Sequence, residues 1–143
     1  MLDITLSVTI AAPAEAVYAL ITDVEATPSW SSAISRTTRD GEGPLRVGDT
    51  FSEEATLLGR VIRTVKVVTS LEEGKLYAEA VREGLLPHAV RMTLSPTAAG
   101  THLTFQLSGD PGRGARLFGP LLSRVLKRQI TSDLKQMKRL LEA

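Results

Sequence analysis

The feature that most constrains this chain is its last fifth. Residues 114–142 contain no Gly or Pro after Pro120 and carry apolar side chains at helical spacing. With Phe118 set at zero and about 100° per residue, Leu122, Val125, Leu126, Ile130, Met137, Leu140 and Leu141 fall between about −20° and 140°. Arg124, Lys127, Arg128, Thr131, Lys135, Lys138, Arg139 and Glu142 fall between about 180° and 300°. At 1.5 Å per residue this is an amphipathic helix roughly 40 Å long. A helix of that length with one wide apolar stripe needs a broad surface to cover, and the rest of the chain must supply it.

The preceding residues read as strands. In 3–10, Ile4, Leu6, Val8 and Ile10 alternate with Asp3, Thr5, Ser7 and Thr9, the pattern of a half-buried strand. Pro13 is suited to the first turn of a helix over 13–22, with Val17, Leu20 and Ile21 on one face. A second short helical turn starts at Asp23 and is interrupted by Pro28 before Trp30. Extended segments follow at 33–39, 49–58, 60–70, 75–83, 87–95 and 101–108, each bounded by Gly, Pro or Asp-Gly turn chemistry. Such regular spacing with short connections predicts an antiparallel meander. Seven strands, two short helices after the first of them, and one long closing helix make an α+β domain with the sheet curved around the helix. With 143 residues and no linker or repeat, 1–143 reads as a single domain.

Composition removes several chemistries. The absence of Cys excludes disulfides, thiolate metal sites and cysteine nucleophiles. The two histidines, His88 and His102, are too few and too far apart for a non-haem iron triad, so no metal or cofactor is expected. Gly109–Gly114 is Gly-rich but lacks the Gly-Lys-Ser/Thr of a phosphate loop and reads as a loop into the last helix. No apolar run reaches the roughly 18 residues of a membrane span, and no signal-peptide pattern opens the chain, so a cytoplasmic location is expected.

The net charge of +1 conceals an asymmetry. Residues 1–110 carry nine Lys/Arg against fourteen Asp/Glu, a balance of −5; residues 111–143 carry eight against two, a balance of +6. Such a tail can meet an anionic membrane or partner, or be the solvated back of a packed helix. The second reading leads, with no nucleic-acid partner expected and peripheral membrane contact held as a lesser alternative.

The chain resembles the START-like superfamily, also called Bet v 1-like or SRPBCC, including its polyketide cyclase/dehydrase group. The resemblance is carried by Val8–Asp23 with its Ala12-Pro13-x-Glu15-x-Val17 helix entry, by Pro28-x-Trp30, and by Val47-Gly48-Asp49-Thr50-Phe51. Gly100-Thr101-x-Leu103-Thr104 and Leu134–Glu142 continue it to the end of the chain. It implies a helix-grip fold with an internal cavity for a small hydrophobic molecule. That superfamily holds carriers, aromatase/cyclases and oxygenase subunits, so fold alone leaves the activity open.

Candidate site residues follow from the wheel and the strand alternation. Asp133, near 60°, sits in the middle of the apolar arc with Gln129 beside it. A carboxylate there must be paired or hydrated. Either it lines a partly polar cavity, or it pairs with an inward arginine or lies where helix and sheet diverge. His88 shares a face with Val90, Met92 and Leu94; it is a proton shuttle at the cavity rim or a strand-end histidine bonded to backbone, the second leading. Arg63 shares parity with Val61, Val65 and Val67, and Arg82 with Leu76, Ala78 and Ala80. Because Ile62 and Val68 compete with the first set, either Arg63 or Lys66 faces inward. Glu54 is set outside by Phe51, Ala55 and Leu57. Trp30 covers one end of the cavity or plugs the core. The expected lining is Trp30, Phe51, Arg82, His88, Met92 and Phe105 from the sheet side, and Phe118, Leu122, Val125, Gln129 and Asp133 from the helix.

The leading expectation is therefore a non-enzymatic carrier or sensor of a small hydrophobic ligand, monomeric or homodimeric. The second is a cofactor-free cyclase/dehydratase using Asp133, His88 or Arg63 for proton transfer. The third is an interaction module using the basic helix face.

Overall fold

In the computed structural model, residues 2–57, 59–110 and 119–143 are described. The elements run β1 (Leu2–Ile10), α1 (Ala14–Thr22), a 3₁₀ helix (Val24–Ser29), β2 (Ile34–Arg39) and β3 (Thr50–Leu57). They continue β4 (Arg60–Glu72), β5 (Leu76–Glu83), β6 (His88–Thr97), β7 (Gly100–Gly109) and α2 (Gly119–Glu142). All seven strands form one antiparallel sheet in the order β1-β7-β6-β5-β4-β3-β2. Strands β2 to β7 are a meander, and β1 closes it by pairing with β7, Leu6 opposite Phe105 and Val8 opposite Leu103. The helices between β1 and β2 thus connect the two edges of the sheet.

Curvature has a local cause. The β4–β5 ladder breaks register between Val65 and Lys66 and again between Val68 and Ser70, and β2–β3 breaks between Ile34 and Arg36. Each added residue bends its strand and increases the twist. The concave face produced this way holds Ile4, Phe51, Val68, Tyr77 and Leu103, which like Met137 of α2 are essentially inaccessible to solvent. Close approach and backbone angle together demand glycine at Gly100, where φ is +142° and a Cβ would lie 2.2 Å from the Ile10 carbonyl oxygen. Only glycine tolerates both the angle and the contact.

Helix α2 covers the sheet as the wheel requires. Leu122, Ile130, Leu134 and Met137 are buried, while Arg124, Lys127, Arg128, Lys135 and Arg139 are exposed. Its end is fastened to the end of β1. Glu142 Oε2 accepts from the Ala11 amide at 2.8 Å, and Lys138 Nζ donates to the Thr9 carbonyl at 2.8 Å. Leu140, placed by the wheel on the apolar arc, is exposed because it lies in the last turn.

Several expected boundaries shift. Pro13 is the N-cap of α1, its carbonyl accepting from Ala16 and Val17, instead of the first helical residue. Strand β6 continues through Pro96, opposite Thr101, to Thr97. The expected start of the closing helix at 114, its Phe118, and residues 111–114 of the Gly-rich loop lie outside the described residues.

Candidate functional site

Between the concave face and α2 lies a cavity of about 250 Å³, close to the lower end of the roughly 300–1,000 Å³ usual for ligand pockets. Its walls differ in chemistry. On the β6–β7 side, Val90, Met92, Phe105 and Leu107 are apolar. Alternation places them together, since Val90 is opposite Leu107 and Met92 opposite Phe105. On the β3–β5 side Glu53, Lys66, Tyr77 and Glu79 bring polar groups to the lining beside Ala55, Ile62 and Thr64.

Lys66 is at the centre of that second wall. Its Nζ lies 2.7 Å from Glu53 Oε1 and 3.0 Å from Glu79 Oε1, and all three side chains are almost wholly buried. Tyr77 Oη donates to Glu79 Oε2 at 2.6 Å. Both oxygens of Glu79 are thus engaged, whereas Glu53 meets Lys66 through one. Strand register explains the grouping. Lys66 is one step of the pleat from Thr64, the partner of Glu53, and one step from Val68, the partner of Glu79. On a pleated sheet such diagonal neighbours are within reach of long side chains.

Burial and the mutual charges together set the protonation of this cluster. Burial alone would lower the Lys66 pKa, but Glu79 and Glu53 together raise it, so the ammonium is retained. Burial pushes Tyr77 up, and the Glu79 charge pushes it further, so it remains a phenol. Burial also raises Glu53; Lys66 opposes this and Glu79 reinforces it.

His88 borders the same cavity from the start of β6. Its Nδ1 is 2.7 Å from the Leu86 carbonyl, so Nδ1 carries the hydrogen and Nε2 keeps a lone pair. Burial and the charge of Lys66 lower its pKa, against the Leu86 bond and Glu79. Both readings of His88 therefore meet in one residue: it is backbone-bonded and it lines the cavity.

Asp133 closes the helix side. Its Oδ2 accepts from Ser31 Oγ at 2.9 Å, and its Oδ1 accepts from the Ser32 amide at 3.1 Å and Gln129 Nε2 at 3.0 Å. Burial raises its pKa and these bonds pull it back. It meets no arginine among the described residues; it ties α2 to the segment after the 3₁₀ helix, and with Gln129 it also lines the cavity. Trp30, 8% exposed, lines the cavity next to Ser31, and its buried Nε1 has no partner among the described residues.

Of the expected lining, Trp30, His88, Met92, Phe105, Val125, Gln129 and Asp133 border the cavity. The others do not. Arg63 is exposed and pairs with Glu54 at 3.0 Å on the outer face, because Ile62, Thr64 and Lys66 are the inward set of β4. Arg82 is exposed near the end of β5, whose inward set is Tyr77 and Glu79 instead of Leu76, Ala78 and Ala80. Phe51 is fully buried in the core, and Leu122 packs under α2, neither reaching the cavity. His102 faces the other side of the sheet, 3.2 Å from Thr9 Oγ1. Sequence reading missed Glu53, Tyr77 and Glu79 and left Lys66 open. The available signal was parity: Glu53 shares a face with Phe51 and Ala55. Among the described residues no three His, Asp or Glu side chains gather in a metal-binding group.

The profile of a family described as "Polyketide cyclase / dehydrase and lipid transport" matches residues 1–142. No curated protein matches the chain. Solved structures share its fold at low identity. TTHA0849 from Thermus thermophilus superposes with a TM-score of 0.83 at 16% identity, over 96% of this chain and 94% of that one. A START superfamily protein from Mycobacterium smegmatis gives 0.80 at 18%, over 98% and 97%. The Zhui aromatase/cyclase from Streptomyces sp. R1128 gives 0.79 at 15%, over 98% and 93%.

Proposed function

The chain belongs to the polyketide cyclase/dehydrase and lipid transport family, and from that premise we propose that it is a carrier or sensor of a small hydrophobic molecule held between sheet and α2. The observation that carries this reading is the cavity itself: about 250 Å³, apolar on the β6–β7 side, with polar groups grouped on the β3–β5 side. Burying an apolar chain there contributes about 0.8 kcal/mol per methylene, before the cost of immobilising it. The indole N–H of Trp30, which has no partner among the described residues, supports the reading, since a buried donor gains most from an acceptor brought by a ligand.

A second reading is favoured by one arrangement. His88 Nε2, with a free lone pair, shares the cavity with the Glu53–Lys66–Glu79–Tyr77 cluster. That supplies an acceptor and donors for cofactor-free cyclisation or dehydration of a polyketide-like chain, in which shape holds the reactive conformer and His88 moves the proton. Asp133 is less suited to this work, because its oxygens are occupied.

Native mass spectrometry of freshly purified protein separates these outcomes from an empty fold. The carrier reading predicts a co-purified small molecule released on denaturation, and its loss in Val125→Trp, where the larger ring fills the space Val125 borders. The cyclase reading predicts turnover that His88→Ala abolishes with ligand affinity retained. Absence of any bound or bindable small molecule in the wild-type protein contradicts both.

A further inference from the structure

The charges around the cavity do not balance. Among the described residues, β3 contributes Glu53, β4 Lys66, β5 Glu79 with the Tyr77 phenol, β6 His88, and α2 Asp133. The lining residues of β1 and β7, namely Leu2, Phe105 and Leu107, are apolar. Three carboxyl groups therefore face one ammonium, with no arginine among the lining residues described. His88 is held neutral, its pKa lowered by burial and by Lys66.

The three carboxyls are not equally provided for. Asp133 accepts from Ser31, Ser32 and Gln129, and Glu79 accepts from Lys66 and Tyr77. Glu53 has only the Lys66 contact at Oε1, and its Oε2 takes no hydrogen bond from the described residues. A buried carboxylate without a full set of partners either holds a proton or takes a cation.

We propose that the cavity selects a lipophilic amine, a small apolar chain ending in an ammonium that donates to Glu53 Oε2 while its tail packs on Val90, Met92 and Phe105. This rests on the reading of the cavity as a ligand site. Burial raises the pKa of the Glu53 carboxyl, so in the empty protein it holds its proton to a higher pH than a free carboxyl does. On binding, that O–H bond breaks and the proton passes to solvent. The ligand keeps its own proton, and the new ion pair replaces the old O–H. A carboxylate ligand meets the excess negative charge and is rejected.

The test uses three probes with one eight-carbon chain: octylamine, 1-octanol and octanoate. Each is titrated into the full chain by calorimetry, in buffers of different ionisation enthalpy and across the pH range in which Glu53 ionises. Octylamine is expected to bind about tenfold or more tighter than 1-octanol, as one additional charge-assisted pair allows. Octanoate is expected to bind more weakly than 1-octanol. Amine binding should release protons and strengthen as pH rises through the ionisation of Glu53. In Glu53→Gln the advantage of octylamine over 1-octanol should collapse. If 1-octanol or octanoate equals octylamine, or if the advantage survives Glu53→Gln, the amine preference is overturned while the cavity remains a ligand site. If none of the three binds, the ligand-site reading falls and the amine preference falls with it.

Discussion

Lys66 is the residue on which the most energy turns. It neutralises part of two buried carboxylates that no other cation reaches among the described residues. Lys66→Met should therefore cost about 3–5 kcal/mol, the usual penalty for leaving buried charge uncompensated, read as a lowered urea midpoint. Glu53→Gln should do the opposite. The folded state raises the Glu53 pKa above its ordinary 4.5, so it holds the proton more tightly than the unfolded chain does. That contribution is complete below the ordinary value and is lost as pH rises through the raised one. Glu53→Gln removes the loss, so the variant should match wild type in acid, below the ordinary carboxylate range, and exceed it once the pH has passed the raised value. Urea midpoints of the two proteins across pH check this. A wild-type protein that gains stability relative to the variant as pH rises would contradict it. The same residues mark where sequence reading stopped. Asp133 was visible because one carboxylate interrupted a long apolar arc. Tyr77 and Glu79 were hidden because β5 buries Leu76, Tyr77, Ala78 and Glu79 in succession, so hydropathy gives no parity there; Glu53, on β3, was signalled only by the face it shares with Phe51 and Ala55.

At the scale of elements, nearly every strand and helix was legible from period and punctuation. β1 alternates cleanly, and the hairpin glycines mark most strand ends. What hydropathy did not reveal was the inward face of β4. Both of its faces carry valine or isoleucine, and two bulges in the β4–β5 ladder shift the parity along it. The bulges that hid the register also bend the sheet that encloses the cavity. The β6–β7 hairpin is joined to the end of β1 at one tight point. A Cβ at Gly100 would collide with the Ile10 carbonyl, and its φ is one that other residues rarely adopt. Gly100→Ala should therefore cost about 2 kcal/mol or more, from the strain of that backbone region together with the clash, seen as a drop in Tm. A substitution costing less than half of that would mean the β1–β7 edge yields more easily than its contacts imply.

For the whole molecule, the lopsided charge resolves into two separate facts. Among the described residues of the tail, Arg124, Lys127, Arg128, Lys135 and Arg139 lie on the outer face of α2, away from the sheet. The excess of acids before it is in part internal, as Glu53 and Glu79 on the cavity wall. The fold, its antiparallel meander and the space under the helix were legible; the polarity of that space was not, because it depends on three strands sharing one register. The central claim is that this space admits a small hydrophobic molecule, and the protein carries its own reporter. Trp30 is the single tryptophan, is 8% exposed, and borders the cavity. The direct measurement is Trp30 emission during titration with 1-octanol. A saturable change fitting one site per chain is the result predicted. Emission that is unchanged, or that drifts linearly with added alcohol without saturating, would contradict the claim.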